Sequence, residues 1–509
     1  MTRDDRTLEV ELKLTAPPAA LHDAFAAVGG GAAKGATKRL TAVYFDTADR
    51  RLVRHGAALR VRRDGTGFTQ TLKAARGPLE RLEHEAPVAG TAPDLAKLPR
   101  EALATQVGAL FDDELQPVFA TDVERRVRRV ERAAGTVELA LDAGEIRAGE
   151  RRAPISELEI ELEGGETPAL FAVAAELVDA GATRLVMGSK AQRGYELAAG
   201  AAPGWAKADK TALGRRLAVG DALGLVLDGV LRHLWANHDA AFDGRDPEGV
   251  HQLRVAVRRL RSALALFGKV VEPARLARFK AEARWAMAAL GPARDRDVFA
   301  TEMLPPVAAA RPNDPALAAL RVRAEEARAT AYAELRDAMA SARWTRFVLD
   351  LARWITLRGW YEEADAGRQL ALAEPLPAFA ARMLDQRAKA VKKRGKHFET
   401  LDAAHRHEVR KSLKKLRYTA DFFRDLYPEK PTKRYLKRLS TLQDAFGHLN
   451  DVATADDLSA TLVDADAPRL AEGRGLVLGW YGHAASFADA ELVRDWRDFL
   501  DAEPFWRGG

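Results

Sequence analysis

The sequence predicts two fold classes in series: an α+β region of antiparallel strands with covering helices, then an all-α region built from one module used twice. Three observations carry this prediction. Polar–apolar alternation, the period of a half-buried strand, recurs as far as Leu162. From about Thr211 the pattern changes to Ala- and Leu-rich stretches with Arg and Glu at three- and four-residue spacing. Finally, HQLRVAVRRLRSALALF (251–267) is matched without a gap by HEVRKSLKKLRYTADFF (407–423), with His, Arg, Leu, Arg and Phe at the same places. The register persists downstream, where Gly291 and Asp295 fall on Gly447 and Asp451, so the repeated unit is a structural module.

In chain order, LEVELKL (8–14), LRVRR (59–63), FTQTLK (68–73), RLEHE (81–85), VELALD (137–142) and SELEIEL (156–162) read as strands. In each, one face is apolar and the other charged. The apolar side would face helices and the charged side would face inward, the reverse of a barrel with a greasy interior. Turn signals at Asp64-Gly65, Asp142 to Gly144 and Gly164-Gly165 fit antiparallel connections, and helical segments near 17–28, 94–110 and 167–181 would supply the cover. AAGAAPGWAKADK (198–210) reads as a linker, which divides the chain into 1–200, a linker at 201–210, and 211–505. Breaks near Gly244–Gly249, Val271–Ala274, Gly291, Pro312–Pro315, Gly359, Ala373–Pro377, Pro428–Pro431 and Asp464–Pro468 cut the second region into helices. Two bundles of about four helices each are expected, over about 211–360 and 370–505. LGPARDRDV and FGHLNDV are expected to serve helix ends and packing.

With 509 residues and 47% hydrophobic content, the chain has material for two or more cores. It contains no cysteine, which excludes disulfides, thiolate catalysis and cysteine-ligated metals. Any metal must sit on oxygen or imidazole. No apolar run is long enough to cross a bilayer, and MTRDDRTLEVELKL lacks the apolar core of a signal peptide, so no membrane role and a cytoplasmic location are expected. The net charge of +6 is unevenly placed: residues 1–200 carry 28 Lys and Arg against 31 Asp and Glu, which leaves 51 against 42 for the rest. Nucleic acid is a poor match to this basic surface, which lacks interleaved aromatics and any helix-turn-helix or zinc-finger pattern. A bare phosphate polymer suits it better.

Because strand side chains alternate, Glu9, Glu11 and Lys13 share one face, and Glu157, Glu159 and Glu161 share another. Enclosed rows of carboxylates are costly without cations. A hard divalent ion such as Mg²⁺ takes carboxylate oxygen and keeps waters and substrate phosphates as its remaining ligands. Arg60, Arg62 and Lys73 alternate in the same way, with Arg125, Lys190 and Arg193 as further cations. Inward-facing strands of both signs would form a tunnel in which cations hold a polyanion and acids hold its metal.

These residues carry a resemblance. Glu9-Val10-Glu11-Leu12-Lys13 resembles the ExExK signature of the CYTH superfamily, the triphosphate tunnel metalloenzymes, and the later strand motifs are similar to that family's across residues 1–200. The repeat half resembles the CHAD domain, the conserved histidine α-helical domain, over 211–505. The two stand in the order of bacterial CYTH–CHAD inorganic triphosphatases. The resemblance implies an eight-stranded antiparallel β-barrel tunnel that hydrolyses inorganic triphosphate to pyrophosphate and phosphate with Mg²⁺ or Mn²⁺. Glu9, Glu11, Glu159 and Glu161 would be metal ligands, and Lys13, Arg60, Arg62, Lys73, Arg125, Lys190 and Arg193 would grip phosphate. Glu9, Glu11 and Lys13 would act in catalysis, Lys13 either activating water or holding phosphate. Glu83, Glu85, Glu138, Asp142 and Glu157 are additional tunnel candidates. An adenylate cyclase or a thiamine triphosphatase on the same tunnel, or a non-enzymatic protein of polyphosphate granules, are the alternatives, since fold does not decide chemistry.

On a helix, at about 100° per residue, His251, Arg254, Arg258 and Arg261 project within an arc of roughly 80°, apart from Leu253, Val257, Leu260, Leu264 and Phe267. His407, Arg410, Lys414 and Arg417 repeat the cationic stripe above Val409, Leu413, Leu416 and Phe423. Aligned charges of one sign repel, so an anion that neutralises them is expected. The CHAD resemblance implies that this anion is inorganic polyphosphate.

Overall fold

The computed structural model describes residues 8–28, 37–65, 67–75, 80–98, 114–463 and 467–507. Eight strands form the first region: β1 (Leu8–Thr15), β2 (Thr37–Thr47), β3 (Ala57–Asp64), β4 (Gly67–Ala75), β5 (Glu80–Val88), β6 (Leu115–Arg132), β7 (Gly135–Ala148) and β8 (Arg151–Gly165). All pair antiparallel in the order β5-β4-β3-β2-β6-β7-β8-β1, and β5 pairs with β1, so the sheet closes into a barrel. A two-residue strand, β9 (Arg184–Leu185), adds to the outer part of β1.

The expected strands are all present, and β2 and β6 complete the eight. Neither shows a clean period of two. In β2, Tyr44 and Phe45 are both buried although they point to opposite faces. In β6, Arg125, Arg126, Arg128 and Arg129 place charge on both faces. Strands covered on both sides lose the alternation that marks a half-exposed one.

Helices α1 (Pro18–Val28) and α3 (Pro168–Asp179) cover the barrel, and α2 (Arg51–Arg54) is a single turn between β2 and β3. α3 packs on β1, β7 and β8 and buries Leu170, Phe171, Val173, Leu177 and Val178. Each such side chain contributes roughly 1.5–3 kcal/mol. The outer faces of β1, β7 and β8 are thereby covered, and the charged faces are left to the interior. Of the helix expected at 94–110, Leu95–Lys97 forms one tight turn, and 99–113 lie outside the described residues. A fourth helix, α4 (Lys190–Ala199), was not legible from periodicity. Ser189 caps its start by accepting from Gln192 N at 3.0 Å, and Gly200, at φ 66°, ends it in the left-handed region open to glycine.

The second region is helical: α5 (Val219–Asp243), α6 (Pro247–Leu266), α7 (Pro273–Asp297), α8 (Leu304–Ala310), α9 (Pro315–Met339), α10 (Ala342–Thr356), α11 (Gly359–Glu362), α12 (Ala366–Leu372), α13 (Leu376–Arg394), α14 (Ala403–Phe423), α15 (Glu429–Ala460) and α16 (Pro468–Leu500). The long helices α5, α6, α7 and α9 correspond in order to α13, α14, α15 and α16, as the repeat requires. Asp402 opens α14 by accepting from His405 N, and Glu272 opens α7 by accepting from Ala274 N and Arg275 N. The break expected at Gly291 is absent. α7 runs through Gly291 and Pro292 to Asp297 and loosens into a π turn only at Val298–Met303. Burial of Leu290 and Ala293 on either side offsets the hydrogen bond that Pro292 cannot make. At the other end of the chain, 464–466 of the expected Asp464–Pro468 break lie outside the described residues.

The chain forms two compact units. One joins Met1–Ala206 with Leu234–Gly249 and Asp337–Arg353; the other joins Lys207–His233, Val250–Arg336 and Trp354–Gly509. No helix among the described residues is long and apolar enough to cross a membrane.

Candidate active site

The barrel encloses a cavity of about 610 Å³ whose lining includes Glu9, Glu11, Lys13, Arg60, Arg62, Lys73, Arg125, Glu159, Glu161 and Lys190. Strand register sets the pattern of charge. Glu11 of β1 lies opposite Glu161 of β8, and Glu161 lies opposite Glu138 of β7, which makes a row of three carboxylates across three strands. One step along, Lys13 faces Glu159. Farther along, Arg125, Asp142 and Glu157 form a row across β6, β7 and β8. Like charges directly opposite destabilise a sheet, so the first row needs a compensating cation.

The second row has its cations built in. Lys190 Nζ stands 2.7 Å from Asp142, 2.6 Å from Glu157 and 2.8 Å from Glu159. Arg125 grips Asp142 through two bonds of 2.8 and 2.7 Å and also reaches Glu159. Arg193 donates to Glu157 at 2.5 Å. Burial would raise Glu159, but Lys190, Arg125 and Lys13 outweigh it and hold the carboxyl well below its ordinary range. Burial would likewise discharge Lys190, yet Glu157, Glu159 and Asp142 raise its pKa above the ordinary lysine value. Among the described residues, Asp142, Glu157 and Glu159 are the carboxylates close enough to share one ion. The ammonium of Lys190 already lies among them.

The first row is different. Burial pushes Glu161 up to about 8, and Glu9, Glu83 and Glu138 add to the effect while Lys73 opposes it. Glu9 is raised too, first by burial and then by Glu11 and Glu83, although Lys73 sits 2.6 Å from it. Glu11, by contrast, is held at about 2, because Lys13 and Arg81 outweigh its burial. The electrostatic deficit therefore centres on Glu161 and Glu9. A divalent cation bound by carboxylate oxygen fits that deficit, and the all-oxygen donor set suits a hard ion.

The phosphate-gripping candidates divide in the same way. Arg60 and Arg62 lie 4.0 and 3.4 Å from Glu83 and Glu85, and the buried Nε of each has no hydrogen-bond partner. Arg125, Lys190 and Arg193 are committed to carboxylates. Lys13 is fully buried between Glu11 and Glu159; burial, then Arg81, lowers its pKa. Arg81 was missed by the sequence reading. It opens RLEHE in phase with Glu83 and Glu85, and this shared parity was the available signal. Gly194 seats α4 on the barrel, since a Cβ there would stand 2.1 Å from the Phe119 ring.

In the helical half, α6 carries His251, Arg254, Arg258 and Arg261, and α14 carries His407, Arg410, Lys414 and Arg417. The two copies meet: Phe267 packs edge-on to Phe423 at 6.3 Å between centroids, and Arg259 lies over the Phe422 ring. Four of the six lysines and arginines converge, Arg254, Arg258, Arg410 and Lys414. Lys414 is exposed by area but crowded; that crowding, then Arg410, Arg258 and Arg254, pushes it down to about 8. Arg258 Nε is buried without a hydrogen-bond partner. Arg417 is instead turned to Gln443 at 2.9 Å, while Arg261 and His407 are exposed and His251 is half-buried. Asp297 of LGPARDRDV is buried against Arg328 and Tyr332, the packing role expected of that segment.

Comparison with known proteins accords with this geometry. The CYTH domain profile matches residues 7–195, and the CHAD domain profile matches 225–460. An inorganic triphosphatase of Haemophilus influenzae is 34% identical over 163 residues, 30% of this chain and 44% of that enzyme, so the match spans less than half of the relative's length. An uncharacterised protein of Mycobacterium tuberculosis is 28% identical over 447 residues, 82% of this chain and 83% of its own. The crystal structure of the CHAD domain from the plant Ricinus communis superposes with a TM-score of 0.51 at 30% identity, covering 59% of this chain and 98% of that domain. The chain thus carries a CYTH domain over 7–195, its charged barrel, and a CHAD domain over 225–460, within its repeated helices.

Proposed function

We propose that the barrel hydrolyses inorganic triphosphate to pyrophosphate and phosphate with Mg²⁺ or Mn²⁺, and that the helical half binds inorganic polyphosphate. One observation carries the enzymatic reading. A single cavity is lined both by Arg60 and Arg62, each with an Nε that lacks a hydrogen-bond partner, and by Glu9 and Glu161, whose carboxyl groups burial raises. A substrate with several negative charges and a divalent counterion satisfies both sides. The name of the Haemophilus influenzae relative supports the same substrate class.

In this reading Glu9, Glu11, Glu159 and Glu161 would hold the ion by drawing together on it, since Asp142, Glu157 and Glu159 are the described carboxylates that already lie within one ion's reach and Lys190 sits among those. When bound, the ion polarises phosphate oxygens and orients the attacking water. Arg60, Arg62 and Lys73 hold the triphosphate, and Lys190, Arg193 and Arg125 offset Asp142, Glu157 and Glu159 on the opposite wall, so that it does not repel the substrate. Lys13, an ammonium buried between Glu11 and Glu159, holds a phosphate oxygen. The arginines stabilise charge developing on the transferred phosphoryl group.

A phosphate-release panel tests the substrate. Tripolyphosphate should be cleaved faster than ATP, thiamine triphosphate or long-chain polyphosphate, each with Mg²⁺ or Mn²⁺. Rapid formation of cyclic AMP from ATP with negligible tripolyphosphate cleavage would overturn the reading.

Metal binding should also depend on pH in a defined direction. The metal-free Glu161 holds its proton up to about pH 8, and an incoming ion must displace it. Below about pH 8 the apparent affinity should rise toward tenfold per pH unit, with up to one proton released per ion through this group, and it should level off above. Calorimetry in buffers of different ionisation enthalpy reads the proton count; no release at pH 6.5 would exclude Glu161 from the ligand set.

A further inference from the structure

The helix that brings Lys190 and Arg193 to the tunnel starts from a clamp outside the barrel. After β9, Val186 N still donates to Lys13 O at 3.0 Å. The next two amides, Met187 N and Gly188 N, donate to one carboxylate oxygen, Oδ2 of Asp239, at 3.1 and 2.7 Å. Ser189 then caps α4, and Lys190 is its first residue. Asp239 lies on α5, within the Leu234–Gly249 stretch that belongs to the same compact unit as the barrel. A Cβ at position 188 would stand 3.2 Å from Asp239 Oδ2, a tight contact that glycine avoids.

Asp239 is itself held. Its Oδ1 is 3.0 Å from Nδ1 of His238, and His238 Nε2 is 3.2 Å from Nε1 of Trp344, with His238 and Trp344 both fully buried. An indole N–H can only donate, so His238 Nε2 accepts, and Nδ1 carries the hydrogen that it donates to Asp239. The tautomer follows from the partners. Burial would raise Asp239, but His238 and the Gly188 amide keep it below the usual carboxylate value, so the clamp is anionic. Two amides on one anion at the start of a helix fix both its position and its direction.

We propose that Asp239 is a positioning residue for the tunnel, setting the start of α4 and through it the placement of Lys190 and Arg193 against the substrate's phosphates. The inference rests on the triphosphatase reading and deepens it: a residue from the helical half of the sequence belongs to the binding apparatus of the barrel. Lys190 stands two residues beyond the clamped Gly188, so a shift of the clamp moves its ammonium directly. A misplaced cation weakens substrate binding more than it slows the bound substrate.

The test uses the full chain and its variants Asp239→Ala, Asp239→Asn, Lys190→Ala and Asp239→Ala/Lys190→Ala, with tripolyphosphate and Mg²⁺. Asp239→Ala should raise KM about tenfold and change kcat less than about threefold. Asp239→Asn should recover most of that loss, because its amide oxygen still accepts from Met187 and Gly188. In the Lys190→Ala background, Asp239→Ala should add less than half of its effect alone, since the two act through one contact. Amide exchange across 187–192 should quicken in Asp239→Ala while strands β6 to β8 keep their protection. Full additivity, an Asn variant no better than Ala, or unchanged exchange at 187–192 overturns the inference. If the wild type binds tripolyphosphate without cleaving it, the triphosphatase reading fails alone, and calorimetric affinities in the same variants decide the positioning role. A wild type that does not bind tripolyphosphate sinks both.

Discussion

Glu159→Gln and Glu161→Gln should each lower turnover of tripolyphosphate by about 100-fold or more, and they should move the stability of the metal-free protein in opposite directions. Both substitutions keep shape, so the barrel should fold in each; glutamine at 159 removes a standing charge, whereas at 161 it removes one that the metal-free protein carries only above about pH 8. The difference lies in what surrounds the two carboxylates. Glu159 sits among Arg125, Lys190 and Lys13, and its carboxyl is held well below the ordinary value. A depressed carboxylate stabilises the fold at pH values above its unfolded pKa and loses that contribution as pH falls. Glutamine at 159 therefore destabilises at neutral pH, because three cations are left with less compensation. Glu161 is the reverse case, raised from 4.5 to about 8. Its ionisation costs the folded state increasingly between pH 4.5 and 8 and fully above that; below 4.5 the carboxyl is neutral in both states. Glutamine at 161 should raise Tm at pH 9 in the presence of a chelator and leave it nearly unchanged at pH 4.5. A wild-type rate for Glu161→Gln at limiting metal, or a lower Tm at pH 9, would remove Glu161 from the site proposed here.

The two carboxylates also illustrate how far the sequence could be read. Alternation in LEVELKL and SELEIEL gave the strands and the inward direction of their charges, because side-chain parity is local. Which carboxylate lacks a counterion is not local. It depends on the register of β1, β7 and β8, and on Lys190 arriving from a helix that follows the barrel. A list of acids thus places Glu159 and Glu161 side by side as equivalents, whereas the structure gives one a lysine and the other three acidic neighbours. Strands β2 and β6 escaped notice for a related reason, since burial or charge on both faces erases the period of two. The helical half was legible as a repeat, but not as a set of contacts: parity on a helix groups Arg254, Arg258 and Arg261 alike, while packing of α6 against α14 brings only the first two beside Lys414. Asp239 carried no sequence signal at all. Its partners are two backbone amides more than fifty residues upstream, and nothing in a helical heptad distinguishes a surface aspartate from one that clamps another element.

Reversing charge at Arg254, Arg258 and Lys414 together should abolish binding of long-chain polyphosphate by the full chain. These residues converge with Arg410 in the helical half, where Lys414 is pushed down to about 8 first by desolvation and then by the repulsion of Arg410, Arg258 and Arg254. A polyanion relieves it, so Lys414 should regain an ordinary lysine pKa near 10.5 when polyphosphate is bound. The sign then follows. Below pH 8 the free protein already carries the charge, and affinity is independent of this group; above pH 8 binding must take up a proton, and affinity should fall until about pH 10.5. Lys414→Arg should remove that decline while keeping affinity at pH 7, because a guanidinium stays charged throughout. Salt provides the second axis. Binding a linear polyanion releases condensed counterions, and each lost phosphate contact should flatten the slope of log affinity against log salt by roughly 0.7–0.9. Duplex DNA at equal phosphate concentration is the control, since its stiffness and wider charge spacing suit a compact cluster of four cations poorly. If the triple reversal binds polyphosphate as the wild type does, or DNA binds as tightly as polyphosphate, the stripes of α6 and α14 are ordinary solvated helix faces, and the binding role proposed for this half is wrong.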